Sequence, residues 1–316
     1  MTAKVVVFIG PTHCTEIVQR VLGAMFEVRC VEATPDSLYP ALQGCTALLD
    51  ASMKVPITRE QIERAKHLKL IATATTGCTH IDEKALSRQG VTLFTLKGQY
   101  ELLQELTPAA ELTWALVLAC ARHLRTALKH VERGKWDREQ FPGLMLNGKT
   151  IGIVGMGRIG GWVARYATAF GMQVLFYDPN VLNAEIGQRM ENLEGLFASS
   201  DVITLHVHVD NTTRGMVDRA LINKAKHGAV LVNTSRGEIL DENALIDALA
   251  SERLRAVGLD VLQSEPDITQ SDLWSYARKH DNVLITPHMG GYSPDAVAKV
   301  VEFASHRIYQ YFQQSG

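Results

Sequence analysis

Three side chains, far apart in the chain, have the types needed for proton transfer on an anionic molecule. They are Arg236 in Asn233-Thr234-Ser235-Arg236-Gly237, Glu265 in Ser264-Glu265-Pro266, and His288 in Thr286-Pro287-His288-Met289-Gly290-Gly291. An imidazole with an ordinary pKa of about 6.5 can give and take a proton near neutrality. A carboxylate hydrogen-bonded to it stabilises the protonated ring and raises that pKa. A guanidinium can fork onto a carboxylate and a neighbouring carbonyl oxygen, orienting the molecule and opposing charge that develops on the oxygen. Singly, each has a plainer explanation: Arg236 as a helix-cap ion pair, Glu265 as a solvated loop carboxylate, His288 as a buried, hydrogen-bonded histidine.

A second constellation handles phosphate. The apolar run Thr150-Ile151-Gly152-Ile153-Val154 is followed at once by Gly155-Met156-Gly157-Arg158-Ile159-Gly160, and then by an amphipathic helical pattern from Val163 to Phe170. This is G-x-G-x-x-G between a strand and a helix. The first glycine permits the tight turn, the second lets backbone approach a pyrophosphate, and the third lets helix and strand pack closely. Free N–H groups at the helix start complete an anion site. The next strand, Val174 to Tyr177, ends in Asp178, 18 residues beyond Gly160, where a carboxylate can accept from both adenosine ribose hydroxyls. The alternative is a structural glycine turn with Asp178 as a strand-end cap. A 2′-phosphate beside Asp178 would meet like-charge repulsion, and Pro179-Asn180 offers no Arg to relieve it, so NAD is favoured over NADP.

Positioning these groups requires a particular scaffold. From residue 4 to about 95, β-branched runs (Val5 to Ile9, Ala47 to Leu49, Lys69 to Ala74, Val91 to Phe94) alternate with helical patterns (Glu16 to Leu22, Arg59 to Ala65, Ile81 to Arg88). Such alternation predicts βαβ units on a parallel sheet. An uninterrupted helix is expected from Leu102 to Val131, then a loop marked by Gly134-Lys135-Trp136 and Phe141-Pro142-Gly143. A second series follows, with strands at Thr150 to Val154, Gln173 to Tyr177, Val202 to His206, Ala229 to Asn233, Val257 to Val261 and Val283 to Ile285, and a last helix from Pro294 to about Gln313. Six strands suit a complete dinucleotide fold, and Arg236, Glu265 and His288 follow its strands, where a doubly wound sheet gathers ligands.

Composition narrows the class. The chain has 316 residues, 46% apolar and 21% charged, which is an ordinary globular balance long enough for two domains. Thirty-two basic against 34 acidic residues leave a net charge of -2, so no general positive field gathers nucleic acid or anionic lipid. The five cysteines, Cys14, Cys30, Cys45, Cys78 and Cys120, form no CxxC pair, which argues against a disulfide framework or zinc site and for a reducing, cytoplasmic setting. No metal is expected: His206 and His208 share a strand face, but no third ligand follows at metal-like spacing. The apolar run at Val5–Ile9 is shorter than a signal-peptide core, and Pro108 to Cys120 falls short of a membrane span.

In this order the blocks resemble the D-isomer-specific 2-hydroxyacid dehydrogenase family. The resemblance runs through Thr76-Gly77 with Ile81-Asp82, Ala110-Glu111, Gly134-Lys135-Trp136, the glycine motif, Thr213 to Gly215, Asn233 to Gly237, Gly258-Leu259-Asp260-Val261 and Thr286 to Gly291. It implies an α/β protein of two doubly wound parallel-sheet domains. A Rossmann NAD-binding domain, 99–291, is inserted in a flavodoxin-like substrate domain, 1–98 plus 292–316. It further implies hydride transfer between NADH and a 2-oxo acid, with His288 as the acid, Glu265 its partner, and Arg236 orienting the substrate. Cofactor contacts would come from Gly155, Gly157, Arg158, Ile159, Gly160, Asp178, Val207, Thr234, Ser235, Arg236, Asp260, His288, Gly290 and Gly291, with Asp260 at the nicotinamide carboxamide. The substrate carboxylate would meet backbone N–H groups near Thr76, Gly77 and Cys78. Lys54 falls in a substrate-facing loop, where it would suit a carboxylate or phosphate tail, or else is a solvated lysine. Cys78 lacks a neighbouring base and reads as packing. His208 departs from the proline usual in the family. The formate dehydrogenase branch carries Gln where Glu265 stands. The non-enzymatic alternative is an NAD-sensing corepressor-type protein. The family also implies a homodimer built through residues 102–145.

Overall fold

The computed structural model describes residues 4–314, which form two compact units. One comprises the chain up to Leu106 together with the part from Tyr292 onward; the other is Thr107–Gly291. The first unit holds five parallel strands, β1 (Lys4–Ile9), β2 (Phe26–Cys30), β3 (Ala47–Asp50), β4 (Leu70–Thr73) and β5 (Thr92–Phe94), in the order β2-β1-β3-β4-β5. The second holds β6 (Thr150–Val154), β7 (Gln173–Tyr177), β8 (Gln188–Arg189), β9 (Val202–Leu205), β10 (Ala229–Asn233), β11 (Leu254–Leu259) and β12 (Val283–Ile285), in the order β12-β11-β10-β9-β6-β7-β8. These are the flavodoxin-like and Rossmann windings, both of which gather ligands at the carboxyl ends of their strands.

Central strands in both sheets are nearly continuous apolar runs because helices cover both faces. Val5, Val7 and Ile9 face one core and Val6 and Phe8 the other. In the second unit Leu231 and Val257 face one side, and Ile151, Ile153, Val230 and Val232 the other. Where that logic fails, so does sequence reading. In β2 only Phe26 is buried, and β8 is a two-residue edge; neither strand was expected, nor was the helix Pro35–Gln43, which carries Pro40 inside it.

The helix expected from Leu102 to Val131 is three helices, Tyr100–Gln104, Pro108–Ala121 and Leu124–Glu132. Pro108 starts the second, in the first-turn position that its missing N–H tolerates. His123 ends the run with a left-handed φ of 52°, its Nε2 accepting from Arg255 Nη2 at 2.9 Å. The first of the three belongs with the first unit, since Leu102, Leu103 and Leu106 pack against the cluster containing Val301 and Ile308. The units therefore divide after Leu106 rather than at the expected 98.

Candidate active site

Adjacent strands β10, β11 and β12 carry Arg236, Glu265 and His288 just beyond their carboxyl ends, so the sheet order brings these residues to one edge. His288 Nδ1 lies 3.0 Å from both Glu265 oxygens. Its side chain is 46% exposed and that of Glu265 29%, so the pair faces solvent-accessible space. Bonding to Glu265 is the largest influence on the imidazole and raises its pKa above the ordinary histidine value. Partial burial and the nearby Arg236 charge oppose the rise.

The turn that presents His288 is held by Asp260, which is 1% exposed. Asp260 Oδ1 accepts from Met289 N–H (2.9 Å) and Thr286 Oγ1 (2.5 Å), and Oδ2 accepts from Gly290 N–H (2.7 Å). The His288 N–H donates to the Asp260 carbonyl, and His288 adopts φ 50°. Position 290 is glycine because a Cβ there would stand 2.9 Å from Asp260 Oδ2. So buried and so engaged, the Asp260 carboxylate acts in this structure as the fastener of the His288 turn.

Arg236 is presented in the same way. Buried Asn233 accepts from Ser235 N–H and Oγ and donates from Nδ2 to the Arg236 carbonyl at 2.8 Å. A Cβ at Gly237 would lie 2.1 Å from the Leu262 carbonyl carbon, so the chain passes close only as glycine. Thr234 is tied to Thr113 of the helix Pro108–Ala121 through their hydroxyls, 2.6 Å apart, a link that sequence reading missed. The guanidinium of Arg236 is exposed, donates to the Ser235 carbonyl, and has no carboxylate partner among the described residues.

At the glycine loop, Gly155 has φ 91° and its missing Cβ would strike the His206 carbonyl oxygen at 2.6 Å; at Gly160 a Cβ would meet the Gly155 oxygen at 2.1 Å. Gly157 faces open space and caps the helix Arg158–Ala169. Two glycines forced by contact and one facing space make a cradle that fits a pyrophosphate. Asp178 closes it: Oδ2 accepts Met156 N–H at 2.8 Å, and Oδ1 accepts Asn180 N–H at 2.8 Å and Val181 N–H at 3.2 Å. No arginine stands at 179 or 180, yet the fold brings Arg189 to Asp178, Nη2 lying 3.5 Å from the Asp178 carbonyl. Val207 is half-buried beyond β9. His206 and His208 do not share a strand face: β9 ends at Leu205, His208 is exposed, and burial pushes His206 down to about 3.

In the first unit Lys54 and Thr76 are exposed, Gly77 and Cys78 half-buried. Cys78 donates to Glu83 Oε1, and burial with that carboxylate raises its pKa, keeping the thiol protonated. The two loops carrying these residues are joined by a pair that sequence reading overlooked. Asp50, fully buried, accepts from His80 Nε2 at 2.7 Å and from Ser52 N–H, Ser52 Oγ and Met53 N–H. An acid closing the apolar run Ala47–Leu49 was the available signal, since a carboxylate so placed must find donors.

Residues 114–290 match the model of the NAD binding domain of the D-isomer specific 2-hydroxyacid dehydrogenases. A hydroxypyruvate reductase of Thermotoga maritima is 38% identical over 246 residues, 77% of this chain and 78% of that one. A D-3-phosphoglycerate dehydrogenase of Methanocaldococcus jannaschii is 37% identical over 245 residues, 76% of this chain but 45% of that one, so the match spans about half of that relative. The D-lactate dehydrogenase of Aquifex aeolicus, solved with NAD and lactic acid, superposes with a TM-score of 0.81 at 26% identity, covering 98% of this chain and 96% of that one.

Proposed function

The chain belongs to the D-isomer specific 2-hydroxyacid dehydrogenase family, and from that premise we propose that it interconverts a 2-oxo acid and a D-2-hydroxy acid, with NAD as the hydride carrier. The observation that carries this reading is the His288–Glu265 pair standing beside an exposed, unpaired Arg236 at one sheet edge. Bound NADH supplies hydride to the carbonyl carbon. Glu265 engages Nδ1 of His288, so Nε2 carries the proton that the carbonyl oxygen takes during reduction, and the same nitrogen accepts the hydroxyl proton in the reverse direction. Arg236 forks onto the substrate carboxylate and carbonyl oxygen and opposes the charge that grows there.

Gly155, Gly157, Arg158, Ile159 and Gly160 receive the pyrophosphate, Asp178 the adenosine ribose, and Val207, Thr234, Ser235, Gly290 and Gly291 line the remainder. Asp260 serves the nicotinamide end by fixing the His288 turn. Lys54 and the backbone of Thr76, Gly77 and Cys78 receive the substrate. No helix among the described residues is long and apolar enough to cross a membrane; a cytoplasmic setting is our reading of the cysteines, which form no CxxC pair. Exposed Leu124, Leu128, Val131, Trp136 and Met145 support a homodimer formed through the 102–145 region.

A panel of glyoxylate, hydroxypyruvate, pyruvate and phosphorylated 2-oxo acids, followed by NADH absorbance, tests the reading. Turnover of at least one is expected, with the D-alcohol formed from any oxo acid whose product is chiral. NADH binding with no turnover of any would leave a nucleotide sensor in place of an enzyme.

A further inference from the structure

Asp178 lies just past β7 and Arg189 ends β8; because the two strands pair in parallel, with Phe176 opposite Arg189, residues 11 apart in sequence reach the same edge. The carboxylate of Asp178 is committed to three backbone N–H groups, of Met156, Asn180 and Val181. It does not pair with Arg189, whose recorded bond is a long one, 3.5 Å, to the Asp178 carbonyl. Arg189 Nε is buried without a partner, and no carboxylate forms an ion pair with the guanidinium among the described residues. A half-buried guanidinium with five donors and one weak bond is an under-used cation. It reaches the backbone of the acid assigned to the ribose hydroxyls.

We propose that Arg189 is a specificity-determining residue, a latent partner for the 2′-phosphate of NADP that Asp178 keeps out of use. The proposal rests on the reading of Asp178 as the ribose acceptor. With the carboxylate in place, a 2′-phosphate meets a negative charge at the position where the ribose hydroxyl would donate. Neutralise that carboxylate and the Arg189 guanidinium, within reach of the Asp178 backbone, is a charged group whose geometry suits a phosphate fork. Preference for NAD therefore depends on one carboxylate charge beside an arginine.

The test is equilibrium binding of NAD+ and NADP+ to the full chain by titration calorimetry, for the natural protein, Asp178→Asn, Arg189→Gln and the double variant. Asn keeps the shape and one acceptor oxygen, enough for the 180 and 181 N–H groups but not also for that of Met156; Asp178→Ser replaces it should that variant not fold. Neutralising Asp178 is expected to improve the NADP+ to NAD+ affinity ratio by about tenfold to a hundredfold, the scale of one charge-assisted hydrogen bond. Most of that gain should vanish when Arg189 is also changed. An equal gain with and without Arg189 overturns the proposal and leaves the ribose reading intact. No change of ratio on neutralising Asp178 overturns both.

Discussion

His288 has a job only because of what its neighbours do to its proton. Glu265 raises its pKa, so the ring stays protonated, and in the proposed reaction able to donate its proton, to higher pH than a free imidazole would. Reduction should lose rate as pH rises through that pKa. Removing the carboxylate charge with Glu265→Gln lowers the imidazole pKa, so the alkaline limb of the kcat/KM profile should move to lower pH; an unmoved limb would separate Glu265 from the titration. Arg236 acts as a fixed charge without a protein counter-ion. Arg236→Ala is expected to cost at least ~100-fold in kcat/KM for the oxo acid, the scale of one lost transition-state donor, with NADH affinity nearly unchanged. Stopped-flow reduction together with NADH fluorescence titration reads both quantities.

Elements matter here chiefly by where they stop. Strands β10 and β11 run into buried polar residues, Asn233 and Asp260, whose side chains hold the backbone so that Arg236 and His288 project beyond the sheet. In the first unit Asp50 does the same for β3, and its bond to His80 joins the loop carrying Lys54 to the one carrying Thr76, Gly77 and Cys78. Removing one member of a buried pair strands the other. Asp50→Ala, which leaves His80 Nε2 and the Ser52 and Met53 donors without their acceptor, should therefore lower stability by about 1–3 kcal/mol, read from a denaturant melt. A loss within experimental error would show that this clasp is incidental to the fold.

Across the whole molecule, the helix Leu124–Glu132 is anchored to its own unit on one side, Arg125 reaching the Val283 and Ala277 carbonyls and Lys129 pairing with Asp281 at 2.7 Å. Its other side leaves Leu128 uncovered, and Trp136 beyond it is 91% exposed. A surface of that kind is covered when two copies associate. The proposed dimer predicts a solution mass about twice 34.9 kDa, falling to the monomer value for Leu128→Glu with Trp136→Ser, as measured by light scattering. A natural protein that already runs as a monomer would remove the dimer reading.

Local chemistry made much of this protein legible from its sequence. The Gly155-to-Gly160 motif between strand and helix, the acid at 178, and the Arg236, Glu265 and His288 blocks each carry their meaning in a few consecutive residues, and central strands announce themselves because both faces are buried. What needed the fold were the relations between segments that share no local pattern. Edge strands β2 and β8 bury too little to show a period, and the break at His123 depends on Arg255, 132 residues away. Asp50 meets His80 and Arg189 arrives beside Asp178 by strand order, and Thr113 meets Thr234 where a helix packs on the sheet. Spacing along a chain encodes periodicity and turns; which side chains face one another is decided when sheets wind and bring distant loops to a common edge.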